Sequence, residues 1–479
     1  MTPLDFPLAQ ALQLGRLDAH DQRALVRRGE LSPRELTAAA LVRARHLDPA
    51  LGALCHAADA AALARADAVD RDAPMAGVPW LPKDSLRYPG MPTRGGSRSR
   101  SNAPAADASP FVQRFDASGL VAIGKSTMPE FGLMGSTEPL LGPVTRNPWS
   151  PAHSPGGSSG GAGAALAAGI VPLAHGSDGA GSIRIPASAC GVVGLKPGRG
   201  ATVPVRGRHA IEDLIVADSL MSRSVRDTAW AFATAHPDAG IDLAGLARAP
   251  RRLRIGVVAD SLPGLAPDPA VARVLEVAAD LCASLGHQVE STTYPLPGAD
   301  VWQALYTLWS RLGLDAVELA AAQGGDAFAA DALEPWTHGL ADYHRRHCGV
   351  AELEQAYAVL AALPPAFTAF HQRHDVVLTP TLRTPPPRLG ELAPDRDFDA
   401  LMPAMFHWMS YTPLQNLAGT PAISLPLGQA GVLPVGVQFA ADRGQEPLLL
   451  QLAAELERAA PWGHRWPAHS VATTLKEPH

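Results

Sequence analysis

The chain has 479 residues, of which 47% are hydrophobic and 18% charged, with a formal net charge of −6 and a pI near 6.3. This composition supports a sizeable core and excludes a disordered or solvating polypeptide, and the acidic balance argues against a broadly basic surface for tracking phosphates, so nucleic acid is not an expected partner. Cys55, Cys190, Cys282 and Cys348 are widely spaced with no C-x-x-C pair, which fits reduced thiols in the cytoplasm better than a disulfide framework or a zinc site.

Length alone suggests about three domains at ~150 residues each, yet only Gly90 to Pro110 resembles a linker, so one extended domain over 1–479 is expected. The N-terminal MTPLDFPLAQ carries an acidic residue where an export signal would be basic. The longest stretch without Asp, Glu, Lys or Arg, Ala400 to Ala441, is interrupted by Pro, Gly and polar residues and makes a poor membrane span. A soluble cytoplasmic protein without a membrane partner is the reading.

In chain order, Ser32-Pro33-Arg34-Glu35 supplies an N-cap hydroxyl, an N1 proline and an N3 carboxylate, a capping box that starts a helix reaching about Leu47. An alanine-rich helix follows from about Ala57 to Val69, and MAGVPWLPK predicts a buried strand ending at Lys83. FVQRFDASGLVAIGK predicts a helix from Pro110, a stop at Gly119 and a strand through Ile123. LRIGVV from Leu253 reads as a strand, Pro269 to Leu285 as a helix closed by Gly286, and HQVESTTY as a further strand. Val301 to Phe370 has helical periodicity, DVVLTPTL reads as a strand before the Pro-rich loop Thr384 to Pro387, and the region as a whole is a candidate lid or pocket rim at about 300–410. AISLPL and PVGVQFAA form a strand pair, and EPLLLQLAAELERA a closing helix. These are α/β units, with no internal repeat.

The chemistry concentrates between Pro155 and Gly200, where Ser158 and Ser182 lie in glycine-rich loops. Glycine lets main-chain N–H groups approach a ligand closely, so such a cluster around hydroxyls suggests a wall of backbone donors. A serine hydroxyl needs a base within hydrogen-bond reach to act as a nucleophile. His153 and His175 are nearby, but no G-x-S-x-G elbow is present. A lysine whose burial lowers its pKa is the other candidate, and Lys83 has the apolar context for it. GGSSGGAG lacks the G-K-[ST] ending of a phosphate-binding P-loop. His344, His347 and Cys348, and His371 with His374, have spacings that metal ligands also use, although solvated helix faces explain them as well. Trp302, Tyr306 and Trp309 recur at helical spacing, which favours a core stripe over a pocket wall.

GGSSGG at Gly156 to Gly161, GSDGAGSIRIP at Gly176 to Pro186 and CGVVGLKP at Cys190 to Pro197 together resemble the amidase signature family of hydrolases, and 182 − 158 = 24 is the family's spacing between relay serine and nucleophile. GVPWLPKD at Gly77 to Asp84 resembles the segment carrying the family's lysine. GKSTMPEFG, TRNPW, NLAGTPAISLP and LPVGVQ resemble further shared segments, so most of the chain is covered.

The resemblance implies an α/β fold with a large mixed β-sheet core flanked by helices, the amidase signature α/β/α fold. It implies a triad of Lys83 as base, Ser158 as relay on a cis peptide bond and Ser182 as nucleophile, with no metal or organic cofactor. The N–H groups of Gly179, Ala180, Gly181 and Ser182 would form an oxyanion hole, each well-placed donor contributing ~3 kcal/mol. Asp178 and Arg184 would hold that loop as an ion pair, and Ser159 would support the relay. The family pattern commonly has threonine at 177 and glycine at 180; here they are Ser177 and Ala180. AHGSDGAGS resembles the branch with aminohexanoate cyclic-dimer hydrolases. The implied activity is C–N hydrolysis of small-molecule amides, with carbamates (urethanes), anilides and esters as further substrates. The amidase subunit of a tRNA-dependent amidotransferase and a non-catalytic amide-binding scaffold are the alternatives, and a homodimer is left open.

Overall fold

The structure is a computed structural model that describes residues 6–207, 209–238, 245, 248, 250–324 and 329–473. Residues 1–5 of the N-terminal stretch and 325–328 of the helical region lie outside the described residues.

The architecture is mixed α/β. A four-stranded sheet runs in the order Val121–Ala122, Pro79–Leu81, Leu173–Asp178, Ala217–Ser222, the first three parallel and the last antiparallel. A six-stranded mixed sheet has the order Gly194–Lys196, Ala422–Ala430, Leu433–Ala440, Val376–Pro380, Arg254–Val257, Gln288–Ser291. The two are stitched together where Val193 N donates to Ser222 O at 2.8 Å. Their strands are largely buried, as strands covered on both faces must be, and helices supply that cover.

Local signals placed most of these elements. Ser32 and Glu35 form the reciprocal capping box, with Ser32 Oγ accepting from Glu35 N and the Glu35 carboxylate from Ser32 N. That helix, Pro33–Leu51, runs four residues past the expected end, through Pro49 to the left-handed Gly52. The expected strand through Ile123 is the short Val121–Ala122, and beyond it Gly124–Ser126 pairs with Leu54–Ala57, a strand not foreseen. The helical region resolves into Gly298–Gly324, Pro335–His347 and Val350–His371. Among the described residues no helix is long and apolar enough to cross a membrane.

The largest departure lies in the glycine-rich region. The residues after Ser159 and after Ile183 are helices, Gly160–Ala168 and Arg184–Cys190, not extended loops. The three glycines of the first helix and Pro186 in the second disfavour a helix, so packing must compensate, and every residue of both helices is buried. A helix buried all round needs small side chains: a Cβ on Gly161 would stand 2.5 Å from Ala53 O and from Thr127 N.

Candidate active site

Three segments converge on one buried point. The strand Pro79–Leu81 ends two residues before Lys83, earlier than expected, because Pro82 has no N–H to continue the ladder. Lys83 instead makes an isolated bridge with Ser126. Its Nζ, fully buried, donates to Ser158 Oγ at 2.7 Å, Ser159 Oγ at 3.0 Å and Ser177 Oγ at 2.9 Å. Ser158 and Ser159 immediately precede the helix Gly160–Ala168, and Ser177 lies near the end of the strand Leu173–Asp178. The Gly157–Ser158 peptide bond is cis.

Burial lowers the Lys83 pKa from the usual 10.5 to about 7, and the Arg206 guanidinium acts in the same direction. The Asp218 and Asp178 carboxylates oppose the shift without cancelling it. Asp218 is engaged elsewhere, by Arg206 at 2.6 and 2.7 Å and by His175 Nε2 at 3.1 Å. His175 therefore belongs to the charge network behind Lys83, whereas His153 bonds Ser150 Oγ and takes no part.

The second loop is organised by Asp178 and Arg184, both fully buried. The guanidinium meets the carboxylate twice, Nε to Oδ2 and Nη2 to Oδ1, each at 2.9 Å, and also donates to Thr412 O, Gln438 Oε1 and Asn416 Oδ1. Burial alone would raise the Asp178 pKa; Arg184 outweighs it and holds the carboxyl at about 2. The same carboxylate accepts from the N–H groups of Gly181 at 2.7 Å, Ile183 at 3.1 Å and Arg184 at 3.4 Å.

Those contacts correct the expected donor set. The Gly181 N–H is committed to Asp178 and does not face the cavity as a free donor. Among the described residues, the N–H groups of Gly179, Ala180 and Ser182 have no protein acceptor. Phe131 is the only non-glycine residue described with positive φ, so Ala180 sits in ordinary backbone space and retains its donor. Gly181 does require glycine: its φ is +135°, and a Cβ there would lie 2.2 Å from Thr412 Oγ1.

Ser158, Ser177, Gly179 and Ser182 line one cavity of about 300 Å³. The Ser182 hydroxyl opens onto it and makes no hydrogen bond to Ser158, although Ser159 N donates to Ser182 O at 3.2 Å and ties the two loops together. The outer wall is apolar at Met128, Leu133 and Trp309, and charged at Arg100, Arg206 and Glu212. Trp309 thus lines the cavity as well as packing in the core, where its Nε1 donates to Leu133 O at 3.0 Å; Trp302 and Tyr306 pack around Phe406. His344 bonds Ser310 Oγ and His371 bonds the His374 carbonyl, both remote from the cavity lining.

Sequence reasoning missed Ser177 as a third Lys83 partner, and also Arg100 and Arg206. In the sequence Ser177 stands out only as a departure from threonine; its alternation with Asp178 along the strand is the signal that turns it toward Lys83. The two arginines carry no motif.

A sequence profile of the family described as Amidase matches residues 35–450. AmiC of Mycobacterium tuberculosis, an amidase by name, is 38% identical over 462 residues, covering 94% of this chain and 96% of that protein. The 6-aminohexanoate-cyclic-dimer hydrolase of Paenarthrobacter ureafaciens is 35% identical over 483 residues, with 94% and 96% covered. A Glutamyl-tRNA(Gln) amidotransferase subunit of Thermus thermophilus is 36% identical over 477 residues, with 93% and 98% covered. Among solved structures, 6-aminohexanoate cyclic dimer hydrolase complexed with substrate superposes with a TM-score of 0.88 at 32% identity, covering 95% of this chain and 99% of that one.

Proposed function

The chain belongs to the amidase family and is a hydrolase of amide bonds; on that basis we propose that it cleaves the C–N bond through an acyl-enzyme on Ser182, with Ser158 as proton relay and Lys83 as base. The observation that carries the reading is the 2.7 Å contact between Ser158 and a buried Lys83 amine whose pKa lies near 7. A neutral amine there keeps a lone pair and can accept the Ser158 proton while Ser158 takes the proton of Ser182. The Ser182 oxygen then bonds the carbonyl carbon. Rotation of the Ser182 side chain, or one bridging water, closes the step between the two hydroxyls, since catalytic hydrogen bonds commonly tighten only with substrate bound.

The developing oxyanion would be met by the N–H groups of Gly179, Ala180 and Ser182, which are the donors still without an acceptor. Collapse breaks the C–N bond, and the proton held by Lys83 returns through Ser158 to the leaving nitrogen. Water attacks the ester along the same route and releases the acid. Carbamates, anilides and esters offer a carbonyl to the same nucleophile and fall within the proposed range. Arg184 and Asp178 shape the donor loop without touching substrate, and Ser159 and Ser177 fix the Lys83 amine.

Intact-mass analysis during turnover of a chromogenic anilide tests the scheme. An acyl adduct mapping to Ser182 and absent from Ser182→Ala supports it; an adduct on Ser158 or on a cysteine overturns it. Likeness to the amidotransferase subunit favours a second reading, in which the chain works within a complex. Release of aniline only after other subunits are added would select that reading.

A further inference from the structure

The cavity wall carries three basic side chains besides the site just described, and they are not equivalent. Arg206 is bonded twice to Asp218 and lies 3.4 Å from Glu212. His209 faces Asp315 at 3.8 Å, and Asp315 is also held by Arg311 at 2.7 Å. Arg100 is different: among the described residues it has neither an ion pair nor a hydrogen bond.

Its guanidinium does have an aromatic neighbour. It lies over the Phe131 ring, 5.0 Å from the centroid, and Phe131 is held in the left-handed conformation, φ 51°, with its N–H donated to Gly95 O at 2.7 Å. The nearby carboxylates that could neutralise Arg100 are occupied. Asp84 accepts from the N–H groups of Arg94 and Gly96. Glu130 accepts from Ser97 Oγ, Glu334 N and Thr337 Oγ1, and Glu212 is beside Arg206.

We propose that Arg100 is a specificity-determining residue that pairs with a carboxylate carried by the substrate, so that the preferred class is amides with an apolar chain ending in an anionic group. A guanidinium stacked on an aromatic face keeps its in-plane N–H fork free, and that fork matches a carboxylate bidentately. Burial disfavours the Arg100 cation and lowers its pKa, a cost that an incoming carboxylate offsets. Met128, Leu133, Trp309 and Leu312 line the same cavity as Arg100 and Ser182 and give it apolar surface, and the cavity volume of about 300 Å³ suits a small molecule. This inference rests on the hydrolase reading for its geometry, but it is tested by binding.

The Ser182→Ala protein is titrated by calorimetry with adipic acid monoanilide and with its methyl ester, which differ by one charge. The expected result is binding of the acid tighter by about tenfold or more, with the difference removed by adding Arg100→Gln and retained on adding Arg206→Gln. Equal binding of acid and ester, absence of binding by both included, overturns the inference, as does a preference that survives Arg100→Gln. Catalysis enters none of these arms, so a failure of the proposed acyl-enzyme scheme would show separately, in the mass analysis above.

Discussion

Asp178 and Arg184 meet through two contacts of 2.9 Å on either side of Ser182, and neither residue touches solvent. The pair lies behind the cavity, so it acts on chemistry only through the loop it holds. Arg184→Met would leave the Asp178 charge buried beside the N–H groups of Gly181 and Ile183. Removing one partner of a buried pair costs about 3–5 kcal/mol. The expected outcome is a large drop in urea midpoint together with loss of kcat; a stable, active Arg184→Met protein would contradict the arrangement.

The pH dependence follows from Lys83. Its folded pKa of about 7 lies below the ordinary 10.5, so the amine is charged below pH 7 and neutral above it. Activity is therefore expected to rise through about pH 7 to a plateau. For stability, the unfolded chain binds more protons between about 7 and 10.5, so the Lys83 contribution to stability rises across that window and is least favourable below it. A pH–kcat profile that falls between about 6 and 8 would exclude Lys83 as base.

Lys83→Met separates chemistry from fold. It removes a buried amine and replaces it with a side chain of similar length, and buried ionisable groups are retained at a cost to stability. Turnover should fall by about a thousandfold or more, while the melting temperature holds or rises. Retained activity on a reactive ester and on an anilide alike would sink the triad.

The donor loop distinguishes two neighbouring positions. Ala180→Gly keeps an N–H at a position with ordinary φ and should leave kcat within a few-fold, on the order of the half to one kcal/mol that glycine costs in backbone freedom. Gly181→Ala must place its Cβ 2.2 Å from Thr412 Oγ1, and the Thr412 hydroxyl in turn donates to Ala180 O at 2.6 Å. Its kcat should fall by at least about a hundredfold, comparable to losing one oxyanion donor. Thr412→Ala added to Gly181→Ala relieves the contact but not the φ of +135°, so recovery should be incomplete.

Ser177→Ala deletes one of three acceptors of the Lys83 amine. A hydrogen bond to a chargeable group is worth about 1.5–3 kcal/mol, so steady-state kcat should drop by roughly tenfold or more, and Ser177→Thr should restore it. Equal rates for Ser177→Ala and the parent would show that Ser158 and Ser159 suffice.

Signals that act over a few residues were the readable ones. The Ser32 to Glu35 box, the Gly119 and Gly286 stops and the strand pair near the C-terminus each depend on neighbours in sequence, and each marks an element that is present there. The mixed α/β fold and the family were readable from the motifs between Pro155 and Gly200 and from their echoes elsewhere. The helices Gly160–Ala168 and Arg184–Cys190 were not, because the glycines of the first and Pro186 in the second point away from a helix and burial, a tertiary effect, overrides them. The commitment of the Gly181 N–H to Asp178 was equally hidden, since spacing places a donor near a pocket without saying where it aims. Arg100 and Arg206 reach the cavity from segments 82 and 24 residues from Ser182, a convergence only the fold creates.

The cavity has two sources that share almost no residues. Its inner face comes from the ends of fully buried helices and a strand, where a Cβ on Gly181 would collide with Thr412. Its outer face comes from Arg100, Phe131 and the long helix Gly298–Gly324. Substitutions that alter what the enzyme accepts can therefore fall on one wall while the wall holding Lys83, Ser158 and Ser182 stays as it is.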